Sequence, residues 1–196
     1  MSDHRNVPEL MDENDVVDLL VRQHVMIRDL FDEVEDAPTG SRRAEAFQRL
    51  VRMLAVHETA EEEVVHPYAR RKIEGGDEVV DERLAEEREA KQMLSDLERL
   101  GTDHPDFSGH LQVLRAAVLA HAHAEERHEF PRFRTQTSEA ERRALAAGVK
   151  AAEALAPTHP HPGTESAVRN LLLGTPLALV DRTRDVIRQA MGGRGD

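Results

Sequence analysis

Two stretches of the chain, HETAEEEVVHP at residues 57–67 and HAHAEERHEFP at residues 121–131, share one skeleton 64 positions apart. Each begins with a histidine, carries a Glu–Glu pair four residues later and ends in proline. In an α-helix, residues i and i+4 lie on one face about 6 Å apart. Each repeat therefore places a histidine beside a glutamate, His57 with Glu61 and His121 with Glu125.

Apolar residues that recur every three or four positions predict four amphipathic helices around these repeats. The helices span about residues 13–35, 42–65, 78–100 and 110–129, with breaker sequences rich in Gly, Pro and Asp between them. Pro67 and Pro131 are expected to close the second and fourth helices. This pattern predicts an all-α fold, an up-down-up-down antiparallel four-helix bundle with a C-terminal helical extension.

The extension differs in character from the bundle. Ser138 with Glu141 three residues later forms a capping-box pattern, which predicts the start of a fifth helix. We expect residues 1–137 to form the bundle and residues 138–196 to pack on it, or on a second subunit, through four leucines: Leu171, Leu172, Leu173 and Leu177. The pattern leaves open whether the chain is a monomer or a homodimer.

Composition excludes several classes of function. The net charge of −12 over 196 residues disfavours a nucleic-acid partner, which requires a basic patch. No apolar run approaches the length of about 18 residues that a membrane span needs, and the N-terminus shows no signal-peptide pattern. We therefore expect a cytoplasmic protein. The absence of cysteine leaves only nitrogen and oxygen ligands for any metal ion.

Each predicted helix carries polar groups at one level of its inward stripe, where an aliphatic residue is expected. These groups are His24, His57, Glu61, Glu87, His121 and Glu125. Three carboxylates buried at one depth require compensating positive charge. Two iron ions joined by an oxide or hydroxide would supply it, and mixed imidazole and carboxylate ligands suit non-haem iron. Manganese is chemically possible but less favoured, and zinc prefers four ligands.

The residues just named resemble the hemerythrin-like proteins of the HHE cation-binding family. RQH ending at His24 and the two repeats carry the resemblance, which covers about residues 13–135. It implies a four-helix bundle with an oxo- or hydroxo-bridged di-iron centre. It further implies that the protein binds a small ligand such as dioxygen, nitric oxide or peroxide.

The third helix departs from the family pattern. The family usually has a histidine there, whereas this chain has EEREAKQML with Glu87 at the aligned position and Glu86 as the competing candidate. An anionic ligand would lower the reduction potential and favour ferric iron. We therefore expect a protein that decomposes hydrogen peroxide or nitric oxide. The alternative is a non-enzymatic sensor, carrier or store of dioxygen or iron.

Two further residues are candidates for an extra ligand or for a hydrogen bond to a ligand. Tyr68 follows Glu61 by seven residues, and His128 follows Glu125 by three, so both fall near the inward phase. His66 lies outside the skeleton that the repeats share. Glu58 and Glu62 are expected on solvated helix faces.

Overall fold

The computed structural model describes residues 11–154, and every regular element within that range is helical, as the sequence predicts. The α-helices are α1 (Val16–Asp36), α2 (Ser41–Ala60), α3 (His66–Lys72), α4 (Gly76–Leu100), α5 (Phe107–Ala124), α6 (Phe130–Gln136) and α7 (Glu139–Glu153). Two π-helical segments, π1 (Glu61–Val65) and π2 (Glu125–Glu129), join α2 to α3 and α5 to α6. Helix α1 packs against α2 and α5, and α4 packs against α5.

The expectation that Pro67 and Pro131 close their helices is wrong. The backbone stays helical through both prolines and ends only at Lys72 and Gln136. In each π segment the hydrogen bonds reach back five residues, from the His66 N–H to the Glu61 carbonyl and from the Phe130 N–H to the Glu125 carbonyl. This wider turn leaves a place in the hydrogen-bond ladder for a residue that has no N–H to donate.

The hydrophobic core consists of two apolar clusters, one on each side of the level that carries the polar groups, which we name the upper and the lower cluster. The upper cluster contains Ile27, Leu54, Leu94 and Leu114. The lower cluster contains Leu20, Val64, Tyr68, Phe133 and Leu145. A fully buried side chain of this size contributes roughly 1.5–3 kcal/mol, so the two clusters can hold the helices in place while the layer between them remains polar.

Two local features fix where the helices begin. The Asp15 carboxylate accepts a hydrogen bond from the Val17 N–H at 3.0 Å and caps α1. Between α3 and α4, Gly75 adopts a left-handed φ of +70°, and a Cβ on Gly76 would lie 2.2 Å from the Ala69 carbonyl oxygen. Only glycine permits so close an approach of the two helices.

Helix α7 begins with the predicted capping box, which is confirmed. The Ser138 N–H donates to the Glu141 carboxylate at 2.8 Å, and the Glu141 N–H donates to the Ser138 hydroxyl at 3.3 Å. The helix packs on α1, α2 and π1 and contributes Leu145 and Val149 to the lower cluster. The predicted leucine contacts of residues 171–177 lie outside the described residues. None of the helices between residues 11 and 154 has the length and hydropathy needed to cross a bilayer.

Candidate metal centre

The six polar groups predicted from the sequence lie at one level between the two apolar clusters. Five of them are almost completely buried: His24, His57, Glu61, Glu87 and Glu125. The sixth, His121, has a side chain 11% exposed. Four helical runs thus direct ionisable groups into one interior layer.

The atoms of this layer lie within reach of a single ion. His24, His57, Glu61 and Glu125 each offer one ligand atom, and these atoms all lie within 4.8 Å of one another. Glu125 stands between two imidazoles, with His24 Nε2 at 3.2 Å from its Oε2 and His121 Nε2 at 3.5 Å from its Oε1. Glu61 is placed similarly, with Oε2 at 3.5 Å from His57 Nε2 and 4.0 Å from His121 Nε2. Both glutamates therefore lie where a carboxylate could bridge two ions.

Each of the three predicted histidines is oriented from outside the layer through its Nδ1. The acceptor is Glu126 for His24 at 2.8 Å, the Gln23 side-chain oxygen for His57 at 2.7 Å and Glu86 for His121 at 2.9 Å. A histidine that binds a metal through one nitrogen characteristically donates its other N–H to a carboxylate or a carbonyl. In all three rings this arrangement leaves Nε2 directed at the glutamates.

One of these outer contacts reaches α7, the last helix of the described residues. Gln23 accepts from His57 through its oxygen, and its amide nitrogen donates to the Glu153 carboxylate of α7. The orientation of His57 is thus tied to α7 by two consecutive hydrogen bonds.

The chemistry of the layer fits a bound cation. Several buried atoms among residues 11–154 have no hydrogen-bond partner; in this layer they are His24 Nε2, His121 Nε2, both oxygens of Glu61, and Oε2 of Glu87 and of Glu125. Buried polar atoms are normally satisfied, and burying a carboxylate unpaired is strongly unfavourable. A metal ion would satisfy imidazole nitrogens and carboxylate oxygens together.

The pKa values of Glu61 and Glu125 also indicate that the layer lacks positive charge. Burial and the neighbouring Glu125 raise the pKa of Glu61 to about 7. Burial also acts to raise the pKa of Glu125, but His121 and His24 outweigh it and lower that pKa to about 2. The two carboxylates cannot both ionise easily without added positive charge.

The pKa values of His57 and His24 are likewise shifted in opposite directions. Burial and the nearby His24 lower the pKa of His57 to about 3. For His24, burial acts to lower the pKa, but the contacts with Glu125 and Glu126 outweigh it and raise the pKa to about 9. Without a cation, therefore, His24 retains the proton and His57 stays neutral.

On α4, Glu87 rather than Glu86 faces the layer. Glu87 is 2% exposed, whereas Glu86 is partly exposed, pairs with Arg83 at 3.1 Å and accepts from His121. Glu58 and Glu62 contradict the prediction of solvated faces, because both are largely buried and pair with Lys91. Lys91 thus forms its ion pairs with these two carboxylates and interacts with Glu87 of the layer only through the charge.

Neither further candidate, Tyr68 nor His128, lies in the layer. Tyr68 belongs to the lower cluster, where its ring stacks on Phe133 with centroids 6.0 Å apart. Burial and Glu141 raise the pKa of its phenol. His128 is exposed and lines an open cleft of about 540 Å³ on the side of α4 and π2. Each π segment turns the following residues away from the phase of an α-helix, which moves both side chains off the face predicted from the sequence. A role for either residue beside the ligands stays a prediction.

Two buried residues near the layer, His66 and Glu129, are not predicted as site residues from the sequence. Glu61, His66 and Glu87 form a second group whose ligand atoms lie within 4.8 Å of one another, and His66 Nε2 is 2.6 Å from Glu87 Oε1. Glu129 is 1% exposed, and neither of its oxygens has a partner. Recognising the π turn in the first repeat would have found His66, which lies five residues after Glu61. Glu129 lies four residues after Glu125, a spacing that places both on one face of an α-helix as well.

A small cavity adjoins the layer on its upper side. Its volume is about 20 Å³. It is lined by apolar residues and by ionisable ones, the latter being His24, His57, Glu58, Glu87 and His121. A space of this size holds one water-sized molecule.

The comparisons with known proteins agree with this geometry. The chain matches the family model of the hemerythrin HHE cation binding domain over residues 15–133. A solved structure of a hemerythrin HHE cation binding domain-containing protein, the Rv2633c homolog from Mycobacterium kansasii, aligns with a TM-score of 0.65 at 21% identity. That alignment covers 86% of this chain and 98% of the other, and at such identity it supports the fold alone.

A DNA nickase of Nostoc sp. (strain PCC 7120 / SAG 25.82 / UTEX 2576) is 27% identical over 138 residues. The match covers 70% of this chain but only 39% of the nickase. The chain therefore spans about two-fifths of that relative's length.

Proposed function

Because the chain belongs to the hemerythrin HHE cation-binding family, we propose that it is a non-haem di-iron protein that binds and decomposes small oxidants such as hydrogen peroxide or nitric oxide. In this proposal residues 1–137 form an up-down-up-down four-helix bundle around the metal centre, and residues 138–196 form an extension packed on it. The ligands are the six residues His24, His57, Glu61, Glu87, His121 and Glu125.

One observation carries the proposal. Three imidazoles are held from outside through Nδ1, and their Nε2 atoms converge on glutamates whose oxygens lack partners. Within each repeat Nε2 lies 3.5 Å from a carboxylate oxygen, and between helices His24 Nε2 lies 3.2 Å from Glu125 Oε2. A cation would satisfy several of these nitrogen and oxygen atoms together.

The protein residues then have separable roles. Glu61 and Glu125 lie between imidazoles and would hold the metal ions together with His24, His57 and His121. When bound, the iron pair supplies Lewis acidity and a store of electrons. Glu86, Gln23 and Glu126 hold the rings in the required tautomer, and the apolar clusters above and below exclude water.

The size of the cavity favours small molecules. A space of about 20 Å³ next to His24 and His57 accommodates a peroxide or a diatomic gas and rejects an organic substrate. Nucleic acid is disfavoured as a partner by the net charge of −12. The DNA activity in the name of the Nostoc relative is therefore not part of the proposal.

The test combines metal analysis with turnover. Protein loaded with ferrous iron under nitrogen is expected to contain about two irons per chain and to consume added hydrogen peroxide or nitric oxide. His57→Ala should lose iron, whereas the control His123→Ala, which removes an exposed histidine two residues from His121, should retain it. Unchanged iron in His57→Ala would contradict the site. Full iron content without consumption of either oxidant would favour the sensor, carrier or store.

A further inference from the structure

His66 is a buried histidine whose side chain, within residues 11–154, forms one hydrogen bond, to Glu87 of the metal layer. It is 2% exposed and follows π1 directly, so the wide turn brings it over Glu61. Its Nε2 lies 2.6 Å from Glu87 Oε1, and its Nδ1 has no hydrogen-bond partner. Unlike the three predicted histidines, its ring is oriented by no outer acceptor.

We propose that His66 is a fourth imidazole ligand and forms, with Glu61 and Glu87, the second cation position of the centre. This inference rests on the proposed function and extends it. The ligand atoms of the three residues lie within 4.8 Å of one another. Both oxygens of Glu61 and one of Glu87 have no partner, so a cation here would satisfy atoms that the protein leaves unpaired.

The assignment explains how the centre obtains an imidazole ligand although α4 has no histidine at the level of the layer. On α4 that position is held by Glu87, and His66, the first residue of α3, places its imidazole beside Glu87. The imidazole is thus supplied from a different helix, and the position keeps mixed nitrogen and oxygen ligands of the kind that iron accepts.

The two repeats differ at this point, and the difference makes the centre asymmetric. The residue that corresponds to His66 in the second repeat, 64 positions later, is Phe130. Its ring stacks on His24, with centroids 5.7 Å apart and planes 13° apart. One cation position therefore gains a ligand where the other meets an apolar wall.

Glu129 adds to the asymmetry. Its counterpart in the first repeat is Val65, and its buried carboxylate lies close enough to Glu61, Glu125 and His66 to interact with their charges. The two cation positions therefore differ in the residues around them, while the cavity is lined by residues of both positions, including His24, His57 and Glu87.

Two variants of His66 test this assignment. His66→Phe copies the residue of the other repeat and removes both ligation and hydrogen bonding. His66→Gln retains a side-chain N–H for Glu87 but is a poor iron ligand. The matched control is His123→Gln at an exposed position. After loading with ferrous iron under nitrogen, both His66 variants should contain about one iron per chain while the control retains about two.

The iron contents of the variants and of the wild type distinguish a wrong assignment of His66 from a wrong proposed function. Two irons in both His66 variants, with an unchanged Mössbauer spectrum, would overturn the assignment and leave the proposed function intact. Two irons in His66→Gln but one in His66→Phe would show that His66 only positions Glu87, which also overturns it. Wild-type protein that binds no iron would remove the proposed function itself.

A measurement on wild-type protein guards against variants that do not fold. Loaded with Co²⁺, the protein should show four exchangeable, hyperfine-shifted imidazole N–H resonances, one for each bound ring. Three such resonances, with His66 absent from them, would exclude His66 as a ligand.

Discussion

Replacing Glu61 by glutamine should change stability in opposite directions in the metal-free and the iron-loaded protein. Burial and Glu125 raise the pKa of Glu61 from 4.5 to about 7. A folded-state pKa above the unfolded value means that the native protein binds the proton more tightly. The metal-free protein therefore loses stability as pH rises through this interval, and the loss is complete above about pH 7.

The size of the effect follows from the shift. An increase of about 2.5 pKa units corresponds to about 3 kcal/mol at 1.36 kcal/mol per unit, and most of it develops between pH 5 and pH 7. Glu61→Gln cannot ionise and lacks this loss. Relative to wild type, the metal-free variant should gain about 2–3 kcal/mol in free energy of unfolding between pH 5 and pH 8.

Urea denaturation of both proteins at several pH values measures the difference. Glu89→Gln, at an exposed position of α4, is the control for the change in net charge. In iron-loaded protein the variant should instead be the less stable of the two, because it loses metal whose binding contributes about 4 kcal/mol at 1,000 times the dissociation constant. A stability difference between the metal-free proteins that stays constant from pH 5 to pH 8 would refute the electrostatic account of the layer.

Three further predictions follow from individual contacts. Glu126→Ala removes the acceptor of His24 Nδ1 and should weaken iron binding roughly 10- to 100-fold. Competition with a chelator measures the iron affinity, and an unchanged affinity would contradict the role of Glu126 in orienting His24. Glu87→His removes an anionic group next to the proposed irons and should raise the reduction potential, which a potentiometric titration detects; an identical potential would show that the departure on α4 is irrelevant to redox chemistry. Ser138→Ala removes the N-cap of α7 and should reduce the free energy of unfolding by about 1 kcal/mol in a urea titration; no loss would mean that α7 unfolds independently of the rest.

The periodicity of an α-helix is enough to predict the repeats and most of the polar layer. In each repeat the histidine lies in an α-helix and the glutamate follows directly after that helix ends. The i, i+4 rule therefore places His57 beside Glu61 and His121 beside Glu125 correctly. The aliphatic stripes predict the all-helical class for the same reason.

Most of the errors have one physical cause, the extra residue in each π segment. It changes the phase of everything that follows by roughly one residue, about 100° of rotation. Tyr68 and His128, assigned from an α-helical phase, therefore lie off the predicted face, while His66 enters the layer. Whether a helix widens at a given residue depends on how the segment packs, which the hydrophobic pattern does not encode.

The hydrogen bonds from His57 through Gln23 to Glu153 connect α7 to the metal layer. Coupling between two sites is reciprocal: if binding at one site stabilises a conformation of the other, that conformation strengthens binding at the first site by the same factor. If a cation at His57 stabilises the packed position of α7, a partner that binds or displaces α7 would strengthen or weaken cation binding. Helix α7 would then respond to the occupancy of the centre, or control it.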